Sequence, residues 1–136
     1  MNKILGFEGI GYVAATFEVD ETTKAKLLKD HLNVKTGNVD VNGKKLAVKM
    51  GNDGKVGFGT GAEALLGIIV AYEMDGFCSV QIKGGIEEVP TAAALTGGAK
   101  SLAVDANGAI VVAENGRPAI VAKPSEAENL FATIIL

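Results

Sequence analysis

Two stretches of this chain resemble each other closely enough to restrict the fold to a few β architectures. In each, an apolar segment leads to a tight turn, a second segment, a loop, and two further apolar segments separated by a polar turn. The first copy covers residues 45–83 and the second covers residues 100–136. Two copies are too few for a solenoid, which needs about three or more repeats to bury its core. The order therefore predicts a mainly β fold, a small β-barrel or sandwich built of hairpins. Internal duplication would explain the similarity, and so would chance likeness between alternating strands.

The composition fits one compact β domain. The chain has 136 residues, 48% of them apolar, which is enough to bury a core without disulfides or metals. Only 5% are aromatic, none is tryptophan and 18 are glycine, so small aliphatic side chains and many turns must build that core. We expect residues 13–136 to form a single β domain, and residues 1–12 to form an N-terminal arm or an edge strand.

Charge and cysteine content exclude several classes of function. The net charge is −3, and the longest run of basic residues is Lys44-Lys45. A nucleic-acid partner is therefore not expected, because such proteins present a clustered basic face. Acidic residues interrupt the longest apolar region, so no membrane span is expected either. Cys78 is the only cysteine, which excludes an internal disulfide, and its β-like surroundings predict a buried thiol.

One segment has helical spacing. Leu28 and Leu32 are four residues apart, and Ala25 lies three residues before Leu28. Asp20-Glu21-Thr22-Thr23 offers candidates for the N-cap. This pattern predicts a short helix near residues 22–32 that ends close to Asn33.

The remaining signals are those of strands and hairpins. The Asn42-Gly43 pair predicts a hairpin between residues 38–41 and 44–48, because Asn-Gly suits the positive φ angles of a type I′ turn. A second hairpin is predicted between residues 66–72 and 77–83. The apolar C-terminus predicts a paired final strand.

A glycine-rich loop at residues 57–62 matches a loose dinucleotide-binding pattern, GFGTGA. That motif works only when a helix follows, because the helix N-terminus binds the pyrophosphate. Here the next residues, 66–70, are rich in β-branched side chains and predict a strand. A nucleotide cofactor is therefore not expected.

No set of residues has the spacing of an active site. His31 is the only histidine, so a histidine-based metal cluster is excluded. Glu87 and Glu88 are adjacent on a predicted strand and should point to opposite sides of it. We expect no enzymatic activity, no catalytic residue, no metal site and no cofactor.

The C-terminal half carries a longer pattern. It reads VQIKGGIEEVP at residues 80–90, KSLAVDANG at residues 100–108 and GRPAIVA at residues 116–122, followed by a terminal apolar strand. This resembles the small capsid decoration proteins of tailed bacteriophages, also called cement or head-stabilising proteins. In that family a V-x-V-x-G-x-x-E-V-P strand leads to a K-L-x-x-D-x-x-G turn and a late strand. The resemblance covers residues 38–136, and the helix-like insert at residues 20–33 departs from the simplest members.

The resemblance implies a structural function. Such a protein is made in the host cytoplasm, binds the outer surface of an assembled capsid as part of the virion, and bridges neighbouring major capsid subunits. Self-association as a homotrimer is implied as well. Because the protein binds the intact lattice, many bound copies would lower the free energy of the shell.

The apolar N-terminal segment is the expected place of capsid contact, through strand addition or burial. The residues expected to make this contact are Ile4, Leu5, Phe7, Ile10 and Tyr12. The alternative for them is an ordinary edge strand of the domain itself. Two other functions stay open, a β module of a phage tail or baseplate and a carbohydrate-binding surface module. Sugar binding usually needs exposed aromatic side chains, and most aromatics here look core-directed.

Overall fold

The computed structural model describes residues 13–33, 38–39, 45–72 and 76–136. Within these ranges the chain forms twelve strands and one helix, which confirms the prediction of a mainly β fold with one short helix. The elements are β1 (Val13–Glu18), α1 (Glu21–His31), β2 (Leu32–Asn33), β3 (Asn38–Val39), β4 (Ala47–Met50), β5 (Val56–Gly57), β6 (Gly67–Tyr72), β7 (Phe77–Lys83), β8 (Gly85–Pro90), β9 (Gly98–Val104), β10 (Ile110–Val112), β11 (Arg117–Lys123) and β12 (Phe131–Ile135).

All the described strands except β2 and β3 form two five-stranded antiparallel sheets with the same topology. The first sheet has the order β1-β7-β6-β4-β5, and the second has the order β8-β12-β11-β9-β10. When β8 to β12 are matched in sequence with β1, β4, β5, β6 and β7, the two orders are identical. The structural repeat thus includes β1 and β8, which lie outside the residues that look similar in sequence.

Each sheet curls until its two edge strands meet. Val19, directly after β1, forms a parallel bridge with Val56 of β5, and Thr91, directly after β8, forms one with Ile110 of β10. The hydrogen bonds beside these bridges also correspond: the N–H groups of the next residues donate to Val56 O at 2.9 Å and to Ile110 O at 3.0 Å. We call the two curled sheets the first barrel (residues 13–83) and the second barrel (residues 85–136).

The correspondence extends to turns and bulges. Gly54 lies in the turn between β4 and β5, and Gly108 lies at the same position of the turn between β9 and β10. Their φ angles are 79° and 78°. β6 and β11 each carry a register irregularity at the same place, after Ile69 and after Val121. Matching hydrogen bonds and matching irregularities show that the two barrels share one backbone plan.

The barrels have separate apolar cores. Cys78, Val80 and Ile69 are buried in the first, and Ala132, Ile134 and Val121 take the corresponding places in the second. The predicted burial of Cys78 is thereby confirmed. The absence of tryptophan is accommodated because a narrow five-stranded barrel is filled by aliphatic side chains.

The helix covers the first barrel. Asp20 is its N-cap, since Oδ1 accepts a hydrogen bond of 2.7 Å from Thr23 N. Leu27 is fully buried, whereas Leu28 is 45% exposed. The helix is thus where the sequence predicts it, and its fully buried residue is Leu27, not one of the residues whose spacing predicts the helix. In the second barrel the residues 91–97 take this position, with Leu95 buried.

Two predicted hairpins have different outcomes. The one between residues 66–72 and 77–83 is confirmed by the pairing of β6 with β7. The turn of the one between residues 38–41 and 44–48 lies outside the described residues; within them β3 pairs with β2, and β4 pairs with β5 and β6. The paired C-terminal strand is confirmed as β12, which lies between β11 and β8.

In β8 the expected alternation fails at Glu87 and Glu88. Ile86 and Val89 are both buried although they are three residues apart, and the pairing with β12 is irregular between them. Glu88 has a φ of 56°. A β-bulge therefore turns the strand at this point, so simple alternation does not decide where the two carboxylates lie.

Candidate functional site

The N-terminal residues for which capsid contact is predicted lie outside the described part of the chain: Ile4, Leu5, Phe7, Ile10 and Tyr12. The description begins at β1, whose first residue, Val13, is 43% exposed. β1 pairs with β7 along one edge, and along the other it meets β5 only through Val19 and Val56. Among the described residues the other edge of β1 thus has no strand partner before Val19, and an edge of this kind accepts an added strand.

A cleft of about 350 Å³ lies between the two barrels. Leu46 and Phe58 from the first barrel and Ala109 and Phe131 from the second give it mainly apolar walls. Its complete lining is Lys26, Asp30, Leu46, Phe58, Pro90, Asn107, Ala109 and Phe131. We call it the inter-barrel cleft. An apolar groove with a few charged and amide groups at its rim suits recognition of a partner or ligand.

Lys26 connects the helix to the second barrel at the rim of this cleft. Its Nζ donates hydrogen bonds to Ala106 O and, at 2.9 Å, to Asn107 Oδ1. The same Nζ lies 5.8 Å from the centre of the Phe58 ring, within the range of a cation–π interaction. One side chain thus links α1, the end of β5 and the turn before β10.

The turn that receives Lys26 is held by its own acidic residue. Asp105 Oδ1 accepts hydrogen bonds from Asn107 N at 2.8 Å and Ala109 N at 2.9 Å. A Cβ on Gly108 would lie 2.6 Å from Phe58 Cε1. Glycine is required there twice over, for its positive φ and for the close approach of the Phe58 ring. The turn sequence therefore fixes one wall of the inter-barrel cleft.

A second cleft, of about 380 Å³, lies on the other side of Lys26 and Phe58. Glu63 is one of its acidic groups, and its oxygens accept hydrogen bonds from Thr60 N at 2.6 Å and Thr60 Oγ1 at 2.9 Å. These bonds hold the pKa of the Glu63 carboxyl below its ordinary value. This carboxylate is engaged in organising its own loop, which makes it a poor proton acceptor near neutral pH.

The glycine-rich loop at residues 57–62 joins the barrels. Gly59 N donates to Asp105 O at 3.1 Å, and Gly61 N donates to Val104 O at 2.8 Å. A Cβ on Gly59 would lie 2.5 Å from Val104 O, so the glycine permits this backbone approach. The segment after the loop is β6, as predicted, so the helix that a dinucleotide fingerprint requires does not follow it.

Arg117 of the second barrel donates hydrogen bonds to backbone carbonyls of the first barrel. Its Nη2 donates to Ile82 O at 2.8 Å, and its Nη1 donates to Leu66 O. Burial lowers the pKa of the Arg117 guanidinium from its ordinary value, and the group stays charged at neutral pH. Backbone and side-chain hydrogen bonds therefore connect the two barrels.

Two kinds of feature are absent from the described residues. They contain no grouping of three His, Cys, Asp or Glu side chains able to hold a metal ion. No described helix has the length and apolar character needed to cross a bilayer. The inter-barrel cleft and the exposed apolar side chains are surfaces suited to binding.

Sequence reasoning did not find Lys26, Phe58 or Phe131 as members of a site. Phe131 is 42% exposed, whereas most of the aromatic residues are expected to face the core. The Asn107-Gly108 turn was the one local signal, and its partner Lys26 is 81 residues away.

Comparisons with protein-family models, curated proteins and solved structures find no match for this chain.

Proposed function

We propose that this protein is a structural virion component that binds the outer surface of an assembled tailed-phage capsid. It bridges neighbouring major capsid subunits, acts as a homotrimer, and stabilises the shell after assembly in the host cytoplasm. The proposal rests on the resemblance carried by residues 80–90, 100–108 and 116–122. It is supported by where those residues lie, since they form β7 to β9, the Lys26-binding turn and β11. These residues belong to the strands and turns that build the two barrels.

The open edge of β1 supports a specific mode of binding. Residues 1–12 lead directly into this strand, and its outer edge is free of strand partners before Val19 within the described residues. In the proposed mode the arm contacts the capsid while the tandem barrels hold a fixed spacing between neighbouring subunits. A rigid body loses little conformational entropy on binding, so more of the contact energy stabilises the lattice.

Deletion of residues 1–11 tests the proposal. Full-length protein and the truncated protein are mixed with empty shells of the phage that encodes the chain, and binding is measured by co-sedimentation and by the melting temperature of the shells. We expect the full-length protein to co-sediment and raise the melting temperature. The truncated protein should do neither, while its circular dichroism and urea unfolding remain those of a folded domain.

The two parts of the proposal fail in different ways. If full-length protein leaves shells unbound and their melting temperature unchanged, capsid binding is wrong. If the truncated protein still saturates the shells, capsid binding stands and the contact does not lie in residues 1–11.

The inter-barrel cleft favours one alternative, a carbohydrate-binding surface module. Phe131 is exposed and lines this cleft with Phe58, while Lys26, Asp30 and Asn107 offer polar groups at its rim. Sugars bind to such combinations of an aromatic face and nearby hydrogen-bonding groups. A glycan array probed with the wild type and with Phe131→Ala decides it: binding that is lost in the variant supports this alternative, and no binding by the wild type removes it.

A further inference from the structure

Ile68 and Ile120 occupy the same position in the two barrels. Ile68 of β6 pairs with Gln81 of β7 and directly precedes the register irregularity, and Ile120 of β11 pairs with Ile135 of β12 in the same relation. The next residue in each strand faces its own barrel core. Ile68 and Ile120 therefore point outward from equivalent strands.

Their surroundings differ completely. Ile68 is fully buried, because the outer face of the first barrel at this point packs into the apolar cluster of the second. Ile120 is 50% exposed. One outward-facing isoleucine is covered inside the chain, and its counterpart is left open by the described residues.

Strand pairing gives each isoleucine a neighbour on either side. In the first barrel Ile68 pairs with Ala47 on one side and Gln81 on the other, and all three are buried. In the second barrel Ile120 pairs with Ala99 and with Ile135, which are exposed and half-buried respectively. The open row is the more apolar of the two, since isoleucine replaces the glutamine.

The outer face of β11 extends this apolar surface. Pro118 lies two residues before Ile120 on the regular part of β11, and both are exposed on its outer side. Ala122, at the register irregularity, is half-buried beside them. Antiparallel sheets that face water usually carry polar residues on their outer side. Exposed apolar residues on that side are the pattern of a covered face.

We propose that the row Ala99, Ile120 and Ile135, with Pro118 and Ala122, is a self-association surface that docks on the first barrel of a second copy of this chain. The contact repeats between chains the one that the first barrel makes with the second within the chain. The two barrels share one backbone plan, so the surfaces that meet within the chain have counterparts on each copy. It specifies the surface of the self-association included in the proposed function, but it is argued from the repeat alone.

The receiving surface follows from the same correspondence. Within the chain the first barrel docks on β9, since Ala64 forms a bridge with Ala103 and Glu63 O accepts a hydrogen bond of 3.2 Å from Val104 N. Met50 of β4 corresponds to Val104, because each directly precedes the matching turn, and Val104 is fully buried whereas Met50 is 42% exposed. Each copy thus presents one docking face and one different receiving face. Contacts of this head-to-tail kind close into a ring or extend into a filament.

Substitution of one face at a time tests the inference without any capsid. The mass in solution is measured by light scattering after size exclusion and by sedimentation velocity over a range of concentrations. We expect the wild type to form species larger than one chain, and I120K to fall to the 13.9 kDa of a single chain. V112K is the matched control, because Val112 is 56% exposed on β10 outside the row, and it should assemble like the wild type. Unfolding in urea confirms that each variant is folded.

A mixing experiment tests the head-to-tail arrangement. M50K alters the receiving face and I120K the docking face, so each should be a single chain alone. Their mixture restores one intact contact and should form a species of two chains. A wild type that stays a single chain, an I120K variant that assembles normally, or an M50K variant that assembles alone would each overturn the proposal. Because no shells are used, this result is separate from that of the co-sedimentation experiment.

Discussion

The hydroxyl of Thr91 donates a hydrogen bond of 2.9 Å to the hydroxyl of Ser125, and both side chains are buried in the second barrel. Ser125 Oγ also accepts a hydrogen bond of 2.8 Å from Leu95 N. The three groups hold the loop 91–97 over the barrel opening with Leu95 inside. The loop 91–97 thus covers the second barrel with Leu95 buried, as the helix covers the first barrel with Leu27 buried.

Ser125→Ala should therefore destabilise the protein more than its size suggests. The substitution leaves the buried N–H of Leu95 and the hydroxyl of Thr91 without their acceptor, which costs about 1–3 kcal/mol. The free energy of unfolding in urea measures the loss. Thr96→Ala is the control, since Thr96 is exposed on the same loop, and it should change stability by less than about 0.5 kcal/mol. Equal effects of the two substitutions would mean that the hydroxyl cluster does not hold the loop.

The fold was predictable where partners are close in sequence. The β6–β7 hairpin, the turns at Gly54 and Gly108 and the paired final strand all follow from local patterns of apolar and turn residues. The pairings of β1 with β7 and β8 with β12 bring together residues far apart, and no local pattern encodes them. The Asn42-Gly43 turn lies outside the described residues, and β3 before it pairs with β2 at the end of the helix, a pairing that the hairpin signal does not predict.

Gly54 and Gly108 offer a matched pair of substitutions. Both have a positive φ, so alanine at either site costs about 1–2 kcal/mol in backbone strain. Nothing lies within 4 Å of a Cβ on Gly54, whereas a Cβ on Gly108 meets the Phe58 ring at 2.6 Å. Gly108→Ala should therefore lose a further 1–3 kcal/mol or so through overpacking.

Chemical denaturation of the two glycine variants measures this difference directly. Because they share one turn geometry, the strain cancels in the comparison and the remainder reports the contact with Phe58. If both variants lose the same stability, the Phe58 ring does not pack against the turn in solution.

The helix shows why the site was harder to predict than the fold. α1 has few apolar residues, and although the spacing of Ala25 and Leu28 indicated a helix correctly, Leu27 is the residue that enters the core. The inter-barrel cleft is assembled from the helix, the end of β5 and two turns of the second barrel. Which residues line the cleft depends on how the two barrels pack together, and local sequence patterns do not predict that packing.

Lys26→Met should loosen the turn before β10 while leaving the barrels folded. It removes the hydrogen bonds to Ala106 O and Asn107 Oδ1, a loss of about 0.5–1.5 kcal/mol. Hydrogen exchange should therefore become faster at the amides of Asn107 and Ala109. Lys29→Met, at an exposed position of the same helix, should leave these amides unchanged. Unaltered exchange in the Lys26 variant would show that the turn is held by Asp105 alone.

Glu63 predicts a pH dependence of defined sign. Its folded-state pKa lies below the ordinary 4.5 because Thr60 donates to the carboxylate. The ionised form therefore stabilises the fold at neutral pH, and this contribution is lost as the pH falls from the unfolded-state value through the folded-state pKa. Glu63→Gln keeps the size of the side chain and removes its titration. We expect wild-type protein to be the more stable at pH 7, and the difference between the two to shrink steadily on acidification towards about pH 3, the lower end of the range in which carboxylates titrate. Urea unfolding at several pH values measures it, with Glu128→Gln in the exposed turn after β11 as the control. A difference that stays constant with pH would mean that the Thr60 bonds do not depend on the charge of Glu63, and one that grows on acidification would reverse the assigned shift.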